Sequence, residues 1–129
     1  MRYLIALIIV CGAVFIGYNH IQSKVDNVAK EAFDQINALR IEQHIPALIW
    51  DDGLAAQAKS YSGIMKQTGI YEHSKMGYAE CILKGPVGNW DNIVHPWKTS
   101  APHYAIIMSP RYTRAAIGIV NPYSTFLAQ

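Results

Sequence analysis

Two short segments contain the residue types that metal binding or proton transfer requires. The first carries His73 and Glu80, and the second carries Trp97, Ser100 and His103 at intervals of three residues. Imidazole nitrogens and carboxylate oxygens are common zinc ligands, and histidine changes its charge near neutral pH. His73, Glu80 and His103 therefore form a candidate zinc site with a fourth position open to water. If the chain is an enzyme, the same three residues are its candidate catalytic groups.

The same residues also allow a plainer interpretation, in which a loop histidine and a glutamate only form a hydrogen-bonded pair that fixes the loop. Around them we expect binding contacts from Ser100, whose hydroxyl can meet a bound water or an imidazole, and from nearby aromatic side chains. These aromatic residues predict either a wall for an apolar or glycan ligand, or part of the core and its rim. They are Tyr71, Tyr78, Trp90, Trp97 and Tyr104.

Charge and cysteine content exclude some function classes. The 129 residues include 11 basic and 9 acidic ones, for a formal net charge of +2. No basic face is visible in the sequence, so we expect no nucleic acid partner. Cys11 lies in an apolar leader and Cys81 lies far along the chain, which makes a disulfide between them implausible. Cys81 is either a small buried residue or, less in keeping with its type, a reactive thiol beside Glu80.

An uncharged apolar run, Tyr3 to Gly17, predicts a signal peptide or signal anchor over residues 1–20. No small-x-small cleavage pattern follows closely, which favours an uncleaved anchor. The run is about 15 residues, short of the roughly 20 of a typical transmembrane helix. We expect an extracytoplasmic protein that is attached to the membrane through this segment or is secreted.

The remaining residues, 21–129, are long enough for one domain. Apolar residues spaced three or four apart predict a helix that begins at Ser23 and ends before Pro46. A second helix should begin after Asp51 or Asp52 and end at Gly69. The glycine-rich stretch that follows, Ile70 to Gly88, is predicted to be a loop with a brief helical or extended portion near residues 78–83.

The last third of the chain should contain two short helices and a hairpin. The helices are expected over residues 87–98 and from Ala101 or Pro102 to Met108. Two β-prone runs, residues 115–120 and 123–127, are separated by the turn signal Asn121-Pro122 and predict a hairpin. Because an isolated hairpin is only marginally stable, it must pack on the helices, and the domain is α+β.

The order of these pieces resembles the CAP superfamily of cysteine-rich secretory, antigen 5 and pathogenesis-related 1 proteins, in its short bacterial, SCP-like form. Residues 36–40 (INALR) are similar to its opening helix, and residues 48–58 (LIWDDGLAAQA) to its "L-x-W-D-x-x-L-x-x-x-A" segment. His73-Ser74 with residues 77–80 (GYAE) is similar to its histidine and "G-E-N" glutamate. Residues 97–103 and 116–119 are similar to its "W-x-x-S-x-x-H" and "G-V-G" elements.

The resemblance covers about residues 33–127 and implies an α-β-α sandwich with a small antiparallel sheet, preceded here by the hydrophobic signal-anchor helix. It also implies that His73, Glu80 and His103 share one cleft. Many members have a second glutamate where this chain has Ser100, and an asparagine where it has Cys81. The resemblance thus favours an extracytoplasmic binding or interaction module whose cleft takes a divalent metal or a lipid-like, glycan or protein ligand.

The sequence also allows two alternatives. A metal-dependent hydrolase acting on peptide or cell-envelope material would use Glu80 and a bound metal. A structural anchor domain would have a cleft with no function.

Overall fold

The computed structural model describes the backbone of residues 2–129 and the side chains of residues 14–129. Its helices are α1 (Arg2–Glu42), α2 (Asp52–Thr68), α3 (Asp91–Thr99) and α4 (Ala101–Ile107), and its strands are β1 (Ile49–Trp50), β2 (Ala79–Lys84), β3 (Arg114–Val120) and β4 (Tyr123–Ala128). The predicted hairpin is confirmed as β3 and β4. The extended alternative near residues 78–83 is confirmed as β2.

The predicted leader, residues 1–20, lies largely outside the residues whose side chains are described, and Cys11 with it. Ser23 does not begin a helix, because α1 is already continuous on its N-terminal side, and the Ser23 hydroxyl instead donates to the carbonyl of His20. Across the described part of the chain, no helix is both long and apolar enough to span a bilayer.

The sheet has four strands in the order β1-β3-β4-β2. β4 pairs antiparallel with both β3 and β2, whereas β1 pairs parallel with β3. The prediction of a purely antiparallel sheet was therefore wrong at β1. This strand is only two residues long, because Asp51 caps α2 directly after it, and two residues carry too little pattern to be seen in the sequence.

Helices cover both faces of the sheet, which confirms the sandwich architecture. One face packs on α1, α3 and α4 in the main core cluster, through alternate residues of β3 such as Ile117 and Ile119. The other face packs on α2, through Ala116 and Leu127 against Leu54 and Ala58. Alternate strand residues point to opposite faces, so β3 contributes to both layers.

The bounds of α2 follow from its capping residues. The Asp51 carboxylate accepts a hydrogen bond from the backbone N–H of Leu54, 2.9 Å away. Gly69 ends the helix in the left-handed conformation, with φ of 71°, and its N–H donates to the carbonyl of Met65. Both caps match the predicted start and stop of this helix.

A buried arginine joins α1 to the segment between α4 and β3. Arg40 is 1 % exposed, and its guanidinium donates to the backbone carbonyls of four residues. Burial lowers the pKa of Arg40, but arginine stays charged in proteins, so these carbonyls solvate its charge in place of water. The four are Pro46, Ile107, Ser109 and Tyr112.

At Gly118 the helix α2 approaches the backbone of β3 too closely for any side chain. A Cβ atom built on Gly118 would lie 2.0 Å from the backbone nitrogen of Lys59 and 2.4 Å from the carbonyl carbon of Ala58. The approach is reinforced by Ser62, whose hydroxyl donates to the Gly118 carbonyl at 2.9 Å. The position of α2 on the sheet therefore depends on a glycine at this position.

We predict that Gly118→Ala destabilises the protein by about 3 kcal/mol or more, because backbone atoms must move to admit the methyl group. Thermal unfolding of the full chain measures this. The matched control is Gly63→Ala on α2, where the nearest atom to a new Cβ lies 3.8 Å away. That control should be neutral or stabilising by up to about 1 kcal/mol, because alanine favours helix. Equal stability of the two variants would contradict the close approach.

Candidate functional site

The carboxylate of Glu80 holds the loop that precedes β2. Glu80 is 8 % exposed, and its strand partner Leu127 packs on α2, so Glu80 projects from the α2 side of the sheet. Its Oε1 accepts hydrogen bonds from His73 Nδ1 and from the backbone N–H of Ser74, both at 2.8 Å. Its Oε2 accepts from the Ser74 hydroxyl at 2.5 Å. Both carboxylate oxygens are therefore used to fix residues 73 and 74.

His73 contributes only one of its two nitrogens to this network. Its side chain is 62 % exposed, in contrast to the 6 % of the Glu80 side chain. The arrangement is thus a loop histidine resting on an almost buried carboxylate. It matches the plainer of the two interpretations that the sequence allows.

The backbone of His103 contacts the opposite face of the edge strand β2. Adjacent residues of β2 point to opposite faces: Glu80 meets the loop, whereas Cys81 meets α4, where its Sγ lies 3.8 Å from the His103 carbonyl. A hydrogen bond of 2.9 Å joins His103 Nδ1 to Ser100 Oγ, three residues earlier. The histidine is half-buried at the start of a seven-residue helix.

The pKa of His103 is lowered by its surroundings. Burial lowers the pKa of His103, and the nearby His73 lowers it further by charge repulsion. His103 is therefore neutral at neutral pH. It becomes protonated only below the usual range for histidine, so protonation opposes folding as the pH falls through that range.

Cys81 is not placed for nucleophilic chemistry. It is fully buried, and burial together with the charge of Glu80 raises the pKa of its thiol to about 12. A thiolate is the reactive form, and almost none is present at neutral pH. The structure thus places Cys81 as a small core residue, which is the first of the two predicted roles.

The residues do not form a set of three metal ligands in this conformation. Among the described residues, no group of three histidine, cysteine, aspartate or glutamate side chains is placed to hold one ion. Both Glu80 oxygens face hydrogen-bond donors, which a cation could replace only if the loop moved. The three residues therefore do not fit zinc as they stand, and zinc binding stays a prediction.

The aromatic residues lie in different places, in the core and at its rim, which is the second of the two roles that the sequence allows. Trp97 is fully buried against Phe126, with its indole N–H directed at the Ile82 carbonyl, so it has no surface to offer a ligand. Trp90 lies between α1 and α3. Tyr104 is 37 % exposed on α4, and Tyr78 accepts a hydrogen bond from Gln57 on α2.

An apolar groove lies beside the Glu80 network, and sequence reasoning missed it. It has a volume of about 460 Å³ and runs between one stripe of α2 and residues 74–76 of the loop. Ser74 belongs to both the groove and the network. Only the spacing on one face of α2 could have indicated it, since the small residues Ala56 and Ser60 lie four apart and are followed by the apolar Ile64. Its lining comprises Ala56, Gln57, Ser60, Tyr61, Ile64, Ser74, Lys75 and Met76.

Comparison with known proteins identifies the family. The model of the cysteine-rich secretory protein (CAP) family matches residues 33–126, well over half of the chain. The chain belongs to the CAP family. The matched range contains His73, Glu80, Ser100 and His103. No curated protein matches the chain by sequence.

Solved structures show the same CAP fold in bacterial surface and secreted proteins. An extracellular protein with an SCP domain from Bacillus anthracis has a TM-score of 0.71 at 20 % identity, over 83 % of this chain and 42 % of its own. A cysteine-rich secretory protein from Staphylococcus aureus has a TM-score of 0.60 at 12 % identity, over 79 % and 38 %. An outer surface protein from Borrelia burgdorferi has a TM-score of 0.64 at 14 % identity, over 78 % and 90 %.

This CAP chain thus spans about two fifths of the length of the first two proteins. At 12–20 % sequence identity, the similarity to these structures shows a shared fold.

We predict that Glu80→Gln loosens the loop, because a neutral amide replaces a carboxylate that accepts three hydrogen bonds. Each hydrogen bond to a charged group contributes about 1.5–3 kcal/mol. Hydrogen exchange of the full chain should show faster exchange at the Ser74 and Met76 amides. Glu72→Gln is the matched control, since its side chain is exposed and makes none of these bonds. Unchanged exchange in Glu80→Gln would contradict the role given to this carboxylate.

Proposed function

We propose that this CAP chain is an extracytoplasmic, membrane-attached binding module that takes an apolar, lipid-like ligand in the α2 groove. The observation that carries the proposal is the groove itself, which is walled on one side by a loop fixed to Glu80. Export is supported by the apolar run before residue 20 and by the similar structures, two of which are described as an extracellular and an outer surface protein.

The groove has the size and chemistry of a ligand site. Its volume of about 460 Å³ lies within the roughly 300–1,000 Å³ of small-molecule pockets. Met76 and Ile64, at its rim, are 36 % and 49 % exposed, so bound apolar matter would cover surface that now faces water. Methionine also adapts its shape to irregular ligands.

Lys75 favours an apolar ligand that carries a negative charge at one end. It lines the groove and is exposed, whereas no acidic side chain lines it. A lysine ammonium at the rim of an apolar groove suits a molecule with an acyl chain and a negatively charged head. A fatty acid is the simplest such molecule.

The contacts of Glu80 support binding over hydrolysis. A general base must be within reach of the proton it removes. The Glu80 side chain is only 6 % exposed, and three of its roughly four lone-pair sites accept hydrogen bonds from the loop. Ser100 also takes the place of a second carboxylate. The same carboxylate acts here as a positioning group for one wall of the groove.

We predict that a fatty acid carrying a photoreactive diazirine crosslinks to residues 60–76 of the full chain in vesicles, as read by mass spectrometry. Ala56→Trp should reduce this crosslinking by about tenfold or more, because the indole fills the groove and excludes the chain.

The control variant is Ala105→Trp, which adds the same side chain at an exposed alanine of α4. It should crosslink like the unmodified protein. Equal crosslinking in both variants, or crosslinks centred outside residues 60–76, would show that the ligand binds elsewhere.

A further inference from the structure

α1 leaves the domain at the end of the sheet where β3 turns into β4. Near this end the Gln22 amide donates to the Ile119 carbonyl, and toward the other end Arg40 donates to the Tyr112 carbonyl. The 18 residues of α1 between these contacts rise about 27 Å. The seven residues of β3 and its lead-in rise about 23 Å. The helix therefore runs nearly antiparallel to the strand.

This geometry carries the first turns of α1 past the sheet. From Gln22 back to Val14 the helix extends about 12 Å, whereas β3 continues only about 7 Å from Ile119 to the turn at Asn121. Residues 14–21 are exposed on every side of the helix. The large apolar residues within this range are each at least 59 % exposed. A protein partner covers one face of a helix, whereas hydrocarbon covers all of them.

The other elements that reach this end carry exposed apolar and basic side chains. Here the "hairpin end" denotes the turn at residues 121–122, the C-terminal part of α2 with residues 64–71, and Lys84. Its exposed apolar residues are Ile64, Ile70 and Tyr71, at 49 %, 55 % and 46 %. Exposed lysines lie at this end on three elements, Lys66 on α2, Lys84 on β2 and Lys24 on α1. The acidic residues here are Glu72, which follows Tyr71, and Asp26 on α1, which pairs with Lys59.

The aromatic side chains are held in place at this end. The ring of Tyr71 lies 6.3 Å from that of Tyr123, and its hydroxyl donates to the Ile82 carbonyl. Lys84 Nζ lies 5.7 Å from the centre of the Tyr123 ring. Tyrosine and lysine together are typical of the boundary between lipid headgroups and water.

We propose that the hairpin end docks on the surface of an anionic bilayer, with the exposed residues 14–21 of α1 in the lipid. This inference rests on the membrane attachment in the proposed function. Lys24, Lys66 and Lys84 then meet lipid phosphates, and Ile70 and Tyr71 lie at headgroup depth. Because Ile64 lines the groove and also belongs to the hairpin end, the groove opens toward the bilayer, which is the source of its ligand.

The test uses the full chain with Cys11→Ser in vesicles of phosphatidylcholine and phosphatidylglycerol that carry a nitroxide on the headgroup. Cys81 is buried and does not react with a label. A fluorophore is attached at Gln67→Cys, near the hairpin end, or at Arg111→Cys, which precedes β3 at the opposite end. Docking predicts strong quenching at position 67 and little at 111.

Charge reversal supplies the second arm. Lys66→Glu with Lys84→Glu should weaken docking by at least about thirtyfold, because each lost lysine removes roughly fivefold and each new glutamate is repelled by the anionic surface. Quenching at position 67 should fall, as it should in vesicles of phosphatidylcholine alone. Lys98→Glu on α3, also an exposed lysine, should leave the quenching unchanged.

The outcomes separate the two proposals. A chain that does not float with vesicles contradicts the membrane attachment, and the docking with it. A chain that floats but is quenched equally at positions 67 and 111, or whose quenching ignores the charge reversal, overturns the docking alone.

Discussion

The carboxylate of Glu80 is the interaction on which the site depends. It is almost buried, and a buried carboxylate is stable only when hydrogen bonds replace its water. Three donors from His73 and Ser74 do so, and they thereby fix residues 74–76 against α2. Without this anchor, the apolar stripe of α2 would be an open helix face. The residue that first suggests catalysis thus explains the shape of the α2 groove.

The rest of the fold supports this arrangement from two sides. Gly118 lets α2 lie directly on the backbone of β3, which sets the distance between the helix stripe and the loop. Arg40 ties α1 to the segment that leads into β3, using carbonyls alone to solvate its charge. Losing those carbonyls would leave an uncompensated buried charge, so the direction in which α1 leaves the sheet is also fixed.

Sequence reasoning succeeded where a local signal decides the structure. The Asp51 and Gly69 caps give α2 its bounds, and the turn at residues 121–122 gives the hairpin. The pairing of His73 with Glu80 followed from their proximity in a short loop.

Sequence patterns do not predict features that tertiary packing determines. Strand β1 is too short to show a pattern, and Trp97, which looks like a binding residue, fills the core. Ser74 and the α2 groove were missed because small polar residues resemble an ordinary solvent-facing surface.

The central claim is that Glu80 builds the groove that binds the ligand. Its most direct test compares crosslinking of the photoreactive fatty acid in Glu80→Gln and Glu72→Gln, with each full chain in vesicles. The account predicts a loss of at least about fivefold in Glu80→Gln, since the loop loses hydrogen bonds to a charged acceptor. It predicts no change in Glu72→Gln. Full crosslinking in Glu80→Gln at the same residues would contradict it.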